Sequence, residues 1–212
     1  MCPWAYQGSR WLRSVRAEAG LEIEWRFFSL EEINRVDGKK HPWERDWSYG
    51  WSQLRIAARL RRDGQDVLDR WYAAVGAAFF ERGEPTFTRP GAAAVLSSMG
   101  LDPGLVDEAM ADQTTNDEVL DDHTRLVRDH GGHGVPTLVF PDGQAFFGPA
   151  ILDAPSGPDA VALWDLVEGW RRFPDLFELR RPKTGEDLAR IGGAFRTYLE
   201  ARAWKTVANP AP

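Results

Sequence analysis

Cysteine occurs once in the 212 residues, at Cys2. An intrachain disulfide is therefore excluded, and so is any zinc site with more than one thiolate. Long apolar runs are missing too. The most apolar stretch, Ala73 to Phe80, is far short of the roughly 18 residues a membrane helix needs, and mean hydropathy is -0.43; no membrane partner is expected. Positive charge is not in excess: 26 Lys and Arg stand against 32 Asp and Glu, for a net charge of -6. Duplex nucleic acid is held by a basic surface that neutralises phosphates, so that partner class is not expected, and Arg59, Arg61 and Arg62 read as a solvated helix face. Neither a Gly-x-Gly-x-x-Gly loop, a Walker loop nor a Gly-x-Ser-x-Gly elbow occurs. Arg10, Arg13 and Arg16 interrupt the apolar core a signal peptide needs, which points to a cytoplasmic chain.

What is present is an ordinary globular composition, 43% hydrophobic and 27% charged, with ten tryptophans to build a core or cleft. Residues 3–19 have one apolar stripe (Trp4, Gly8, Trp11, Leu12, Val15) and start on Pro3, so they predict a helix that stops at Gly20. Leu21 to Phe28 alternates apolar and charged residues and predicts a half-buried strand. Helical signals then run through 43–63, 65–83, 89–99, 103–111 and 115–130. Thr137 to Phe140 and Ala145 to Phe147 flank Pro141-Asp142-Gly143-Gln144, a hairpin signature. A helix over 158–172, a last helix over Gly185 to Trp204 and a disordered tail from Asn209 complete the pattern. A lone strand followed by a hairpin makes a thin three-stranded sheet, as if one strand were missing ahead of residue 2.

Two motifs carry chemistry. Cys2-Pro3-Trp4-Ala5 opens the first helix, where backbone N–H groups and the positive end of the dipole favour an ionised sulfur and Trp4 offers an apolar wall. Gly134-Val135-Pro136-Thr137 precedes the hairpin. If the Val135–Pro136 bond is cis, the N–H and C=O of Val135 are presented for pairing with a substrate backbone. Read singly, the first could be an incidental cysteine and the second a strand-start proline.

Taken together, a Cys-Pro-Trp-x helix start, a strand, a helical block, Gly-Val-Pro-Thr and a hairpin resemble the DsbA-like branch of the thioredoxin superfamily. Ser29-Leu30, Phe146-Phe147-Gly148-Pro149, Leu163-Trp164-Asp165 and Phe177-Glu178-Leu179-Arg180-Arg181 resemble its mycothiol-dependent nitroreductase subgroup, over residues 2–181. The resemblance implies an α/β thioredoxin-like fold, discontinuous over 1–40 and 133–182, with an inserted α-helical domain over 41–132 and a C-terminal helical extension and tail over 183–212. It also implies that the first β-strand has no counterpart here, so that translation starts upstream of Met1. It makes Cys2 the nucleophilic thiol and Pro136 the cis-proline, with Pro3, Trp4, Tyr6, His123, Val135 and Thr137 as thiol- or substrate-binding residues.

Ala5 stands where a second cysteine is usual, so a mixed disulfide at Cys2 has to be resolved by another thiol. The resemblance names mycothiol as co-substrate, with glutathione equally compatible with the composition, and a small-molecule or protein disulfide as the oxidised partner; no metal is required, and a homodimer is left open. A kappa-class glutathione transferase or isomerase-like enzyme shares the fold without a resolving thiol, and a non-catalytic thioredoxin-like binding module could use the cis-proline edge to hold peptides. His123, His130 and His133 fit no standard zinc spacing, and Gly131 and Gly132 suggest a flexible linker there. His123 reads as a proton carrier or substrate contact. Trp43, Trp47 and Trp51 recur every four residues and predict one helix face, as core packing or as an aromatic wall over Cys2.

Overall fold

The computed structural model describes residues 1–201; the end of the expected last helix at Trp204 and the tail from Asn209 lie outside the described residues. The described chain is mostly helical with one small sheet. It divides into two compact units: Cys2–Ile23 with Val135–Arg196, and Glu24–Gly134 with Met1 and, among the described residues, 197–201.

In the unit that begins at Cys2, α1 (Pro3–Val15) starts with proline in its first turn, where the missing N–H costs nothing. The helix ends at Val15, short of the expected 19, and the chain unwinds through turns to Gly20, whose φ of +62° is the left-handed geometry glycine adopts freely. Strands β1 (Thr137–Val139) and β2 (Ala145–Phe147) pair antiparallel in the register Thr137↔Phe147, Leu138↔Phe146, Val139↔Ala145. Their turn closes with Phe140 N–H donating to the Gln144 carbonyl at 2.8 Å and Gly143 N–H to the Phe140 carbonyl at 2.9 Å. Helix α8 (Pro158–Trp170) completes a core of Trp11, Leu12, Val15, Phe140, Ala160 and Val167. Trp11 is fully buried, and its indole N–H donates to the Ala160 carbonyl at 3.0 Å, so the ring packs with no polar group left over. Helix α9 (Gly185–Ala194) follows, stops at Phe195 and is succeeded by α10 (Arg196–Ala201), in place of one continuous helix from 185.

The other unit is built from helices. Alongside the short α2 (Leu30–Ile33) are α3 (Trp51–Arg61), α4 (Gln65–Gly76) continued by a π-turn over Ala77–Glu81, α5 (Arg89–Ser98), α6 (Leu105–Ala111) and α7 (Thr114–His130). Its core includes Trp51, Ile56, Leu60, Leu68, Trp71, Leu96 and Val119. The Trp51 indole donates to Asn116 Oδ1 at 2.7 Å, tying α3 to α7. Arg55 is buried and caps the end of α6 by donating to the carbonyls of Ala109, Met110 and Asp112 and to Thr115 Oγ1.

Three expectations about these elements are corrected. Leu21 to Phe28 is not a strand of the sheet, which has two strands and not three. Its alternation survives as burial, with Leu21 and Ile23 packed on one core and Trp25 and Phe27 on the other. From Trp25 onward, alternate backbone N–H groups are taken by side chains instead of a neighbouring strand: Trp25 donates to Gln65 Oε1, Phe27 to Asp122 Oδ2 and Ser29 to His123 Nδ1. Second, no helix begins at Trp43. A 3₁₀ turn covers Pro42–Glu44, and α3 starts only at Trp51 because the Glu31 carboxylate accepts the N–H groups of Gly50 and Trp51 and so caps the helix there. Trp43 and Trp51 still meet, ring centroids 5.0 Å apart, while the Trp47 indole bonds the Phe87 carbonyl. Third, Gly131-Gly132 is an ordered helix cap: Gly131 is left-handed (φ +62°) and Gly132 N–H donates to the Leu126 carbonyl.

Candidate active site

Cys2 is the N-cap of α1, in extended geometry (φ -131°, ψ 122°), and is half-buried. Its carbonyl accepts the Tyr6 N–H and begins the helix. Its sulfur takes no hydrogen bond from the first turn of α1; the thiol donates to the Val135 carbonyl, Sγ to oxygen 3.6 Å. The Val135–Pro136 peptide bond is cis. Cys2 and Pro136 are 134 positions apart in sequence, and the fold brings the sulfur to the peptide group that precedes that proline.

Close approach of the two segments is permitted by Gly8. A Cβ built on it would stand 3.5 Å from both Cβ and Cγ of Pro136 and 4.0 Å from the Pro149 carbonyl. These are ordinary contact distances, so α1 passes the proline with room for one methyl group. The Pro136 carbonyl accepts the Gly148 N–H at 2.8 Å, which fixes the proline to the end of β2; the next peptide bond, Gly148–Pro149, is also cis. Thr137 follows as the first residue of β1.

Pro3 and Tyr6 are buried on α1. The half-buried Trp4 ring meets Phe195 edge-on, centroids 4.9 Å apart at 88°. Phe195 is the residue at which α9 stops and is itself buried. The sequence reading missed this aromatic support from the C-terminal extension, and no local signal pointed to it; it missed equally the Gly8 approach, although a buried glycine inside an otherwise apolar helical stripe is a usable sign of close backbone contact.

Of the residues expected in the site, Cys2, Pro3, Trp4, Tyr6, Val135, Pro136 and Thr137 fall in one compact unit, and His123 falls in the other. His123 is 5% exposed on α7, with its ring against Phe28, centroids 4.7 Å apart. Burial holds its pKa below the ordinary histidine value, opposed in part by the charge of Glu32. Nδ1 accepts the Ser29 N–H at 3.3 Å and must present a lone pair, so the proton of the neutral ring is on Nε2. A second histidine, His41, is tied to Glu32 through Nδ1 at 2.9 Å and stacks on Trp43 at 4.2 Å. Among the described residues, no group of three or more His, Cys, Asp or Glu side chains is placed to hold a metal ion, and no helix is long and apolar enough to cross a membrane.

The arrangement offers one nucleophile and a backbone acceptor beside it. Such a set can carry thiol exchange and supplies no second sulfur to close an internal disulfide. Comparison with known proteins bears on the same residues. The chain is 50% identical over 207 residues to an uncharacterized protein of Mycobacterium tuberculosis, Rv2286c, covering 98% of this chain and 89% of that one. The family model of the mycothiol-dependent nitroreductase Rv2466c matches residues 1–181, which include the Cys2 helix start, the Val135–Pro136 bond and the hairpin. This chain belongs to that Rv2466c-like family of mycothiol-dependent nitroreductases.

Proposed function

We propose that this protein is a monothiol oxidoreductase of thioredoxin-like, DsbA-like ancestry, acting in the cytoplasm with Cys2 as nucleophile and mycothiol as the reducing co-substrate. The observation that carries the reading is the placement of Cys2 Sγ 3.6 Å from the carbonyl of Val135, ahead of a cis proline. The Val135 carbonyl lies beside the sulfur, and the carbonyl and N–H of that residue suit the amide groups of a cysteine-derived thiol or of a peptide disulfide.

The step is thiol–disulfide exchange. The Cys2 thiolate attacks the mycothiol sulfur of a mixed disulfide between mycothiol and a substrate thiol. A Cys2–mycothiol bond forms, the original sulfur–sulfur bond breaks, and the substrate leaves as a thiolate that takes up a proton. Ala5 provides no resolving thiol, so a second mycothiol thiolate attacks the mycothiol sulfur and displaces Cys2 as thiolate. The substrate sulfur is reduced, and the two mycothiol sulfurs end as a disulfide. In this reading Trp4, whose ring is steadied by Phe195, serves as the apolar wall for the bound thiol, and Tyr6, Val135 and Thr137 complete the thiol-binding surface.

Intact mass spectrometry after incubation with mycothiol disulfide tests the reading. One mycothiol adduct on the wild-type chain and none on Cys2→Ser is the expected result, with turnover of a mycothiolated substrate down by about three orders of magnitude in the variant. An unmodified wild-type chain, or a Cys2→Ser variant with full turnover, would refute it.

A further inference from the structure

Cys2 stands in a backbone position suited to helix capping, and its side chain does not cap. Its φ of -131° and ψ of 122° are the extended geometry from which an N-cap side chain accepts the N–H groups of the second and third helical residues, here Trp4 and Ala5. Those two N–H groups have no protein acceptor among the described residues, and Pro3 has no N–H at all. Ser29, Thr88 and Thr184, by contrast, cap α2, α5 and α9 with their side-chain oxygens. The Cys2 sulfur is turned the other way, with its proton on the Val135 carbonyl.

The two positions open to the sulfur favour different protonation states. A thiol donates to a carbonyl; a thiolate cannot, and the negative end of the C=O dipole repels its charge. The Val135 contact therefore holds the protonated sulfur, whereas the empty cap suits the ionised one. The single side-chain torsion, χ1, separates them.

We propose that the Val135 carbonyl is a latch on Cys2, and that an amide N–H on the substrate releases it. The inference rests on the reading of Cys2 as the exchange thiol and names its substrate class: disulfides of N-acylated cysteines, peptide disulfides included, which carry an N–H on the same residue as the sulfur. An amide N–H is a stronger donor than S–H and takes over the Val135 oxygen. The thiol proton passes to bulk water, and the sulfur turns as a thiolate to the N–H groups of Trp4 and Ala5. Exchange then runs as described above. Electrophiles without such an N–H meet a protonated, weakly nucleophilic sulfur. The one cysteine of the chain is thereby spared indiscriminate oxidation.

Because there is no other cysteine, ionisation of Cys2 can be read in the full chain from ultraviolet thiolate absorbance at neutral pH. The probe is N-acetylalanine methyl ester, which has the N–H and no sulfur. The control is O-acetyllactic acid methyl ester, the same molecule with an ester oxygen in place of that N–H. The probe should raise the thiolate absorbance and speed modification of Cys2 by methyl methanethiosulfonate, an amide-free reagent, about tenfold, the worth of one hydrogen bond. The control should do neither, and Cys2→Ser should show no absorbance change with the probe. A thiolate signal already complete without the probe overturns the latch. So does a probe that leaves the modification rate unchanged, or slows it by shielding the sulfur as a plain occupant would. A mycothiol adduct on Cys2 beside either of those results keeps the exchange reading and removes the latch alone; no adduct removes both.

Discussion

Asp122 is the buried carboxylate on which the segment entering α2 hangs, and removing it should destabilise the helical unit by an amount the structure lets one work out. Its side chain is 2% exposed. Oδ2 accepts the Phe27 N–H at 3.2 Å and Arg61 at 2.6 Å, and Oδ1 accepts Arg26 at 3.0 Å. These three partners lose different amounts in Asp122→Ala. Arg26 is half exposed and keeps Glu24 at 2.7 Å, so it is resolvated at little cost. Arg61 keeps Glu118 at 3.1 Å and its seat over the Phe27 ring at 4.2 Å, and loses only its shorter, more buried pairing. The Phe27 N–H has no substitute and is left unsatisfied beside a residue only 1% exposed.

An orphaned buried donor costs about 1–3 kcal/mol, and breaking one arm of a partly buried ion pair adds about 1 kcal/mol once solvent screening is allowed for. The total is about 3 kcal/mol, or roughly 6–12 °C in the melting midpoint for a chain of this length. Asp122→Asn keeps an oxygen for the Phe27 N–H and gives up the charge alone, so it should cost about 1 kcal/mol. Urea unfolding followed by tryptophan fluorescence compares the two variants. Equal losses, or a loss below about 1 kcal/mol in Asp122→Ala, would show that the backbone contact does not hold the segment.

Two further outcomes follow from the same structure. Because burial lowers the pKa of His123, the unfolded chain takes up its proton first, and stability should fall as pH drops through about 6.5, the ordinary histidine value. His123→Asn keeps an acceptor for the Ser29 N–H and should lose less stability than wild type between about pH 7.5 and 5.5; identical slopes in urea midpoints would remove His123 as the cause. For the Trp4–Phe195 contact, a double-mutant cycle with Trp4→Leu and Phe195→Leu should return a coupling of about 0.5–1.5 kcal/mol, and Phe195→Leu alone should slow mycothiol exchange. Strict additivity of the two changes would mean that the C-terminal extension does not steady the site.

Much of the candidate site was legible because its two halves announce themselves locally. A cysteine followed by proline at a helix start can be read within four residues, and Gly-Val-Pro-Thr ahead of a hairpin likewise. What brings Cys2 Sγ to the Val135 carbonyl is visible only in the packing of α1 past Pro136, for which Gly8 is a faint sign. The reading of Leu21 to Phe28 as a strand failed because alternation reports burial, not hydrogen bonding. The burial is there, but the partners of Trp25, Phe27 and Ser29 are side chains at positions 65, 122 and 123, which no periodicity of the segment itself could disclose. The tryptophan spacing from 43 to 51 failed for a similar reason. Glu31, twelve residues upstream of Trp43, decides where α3 begins.

These long-range side-chain partners also give the histidine its chemistry. Sequence alone left His123 equally able to carry protons or to touch substrate. The Ser29 N–H occupies Nδ1, and burial favours the neutral ring, so its proton sits on Nε2. The Ser29 side chain meanwhile caps α2 by accepting the Glu32 N–H at 3.1 Å. One residue thus sets both the histidine tautomer and the start of the helix that carries Glu32, whose charge opposes the burial of that same ring. Replacing Ser29 would therefore act on the ring in two ways: moving its backbone would free Nδ1, and loosening α2 would shift the nearby carboxylate.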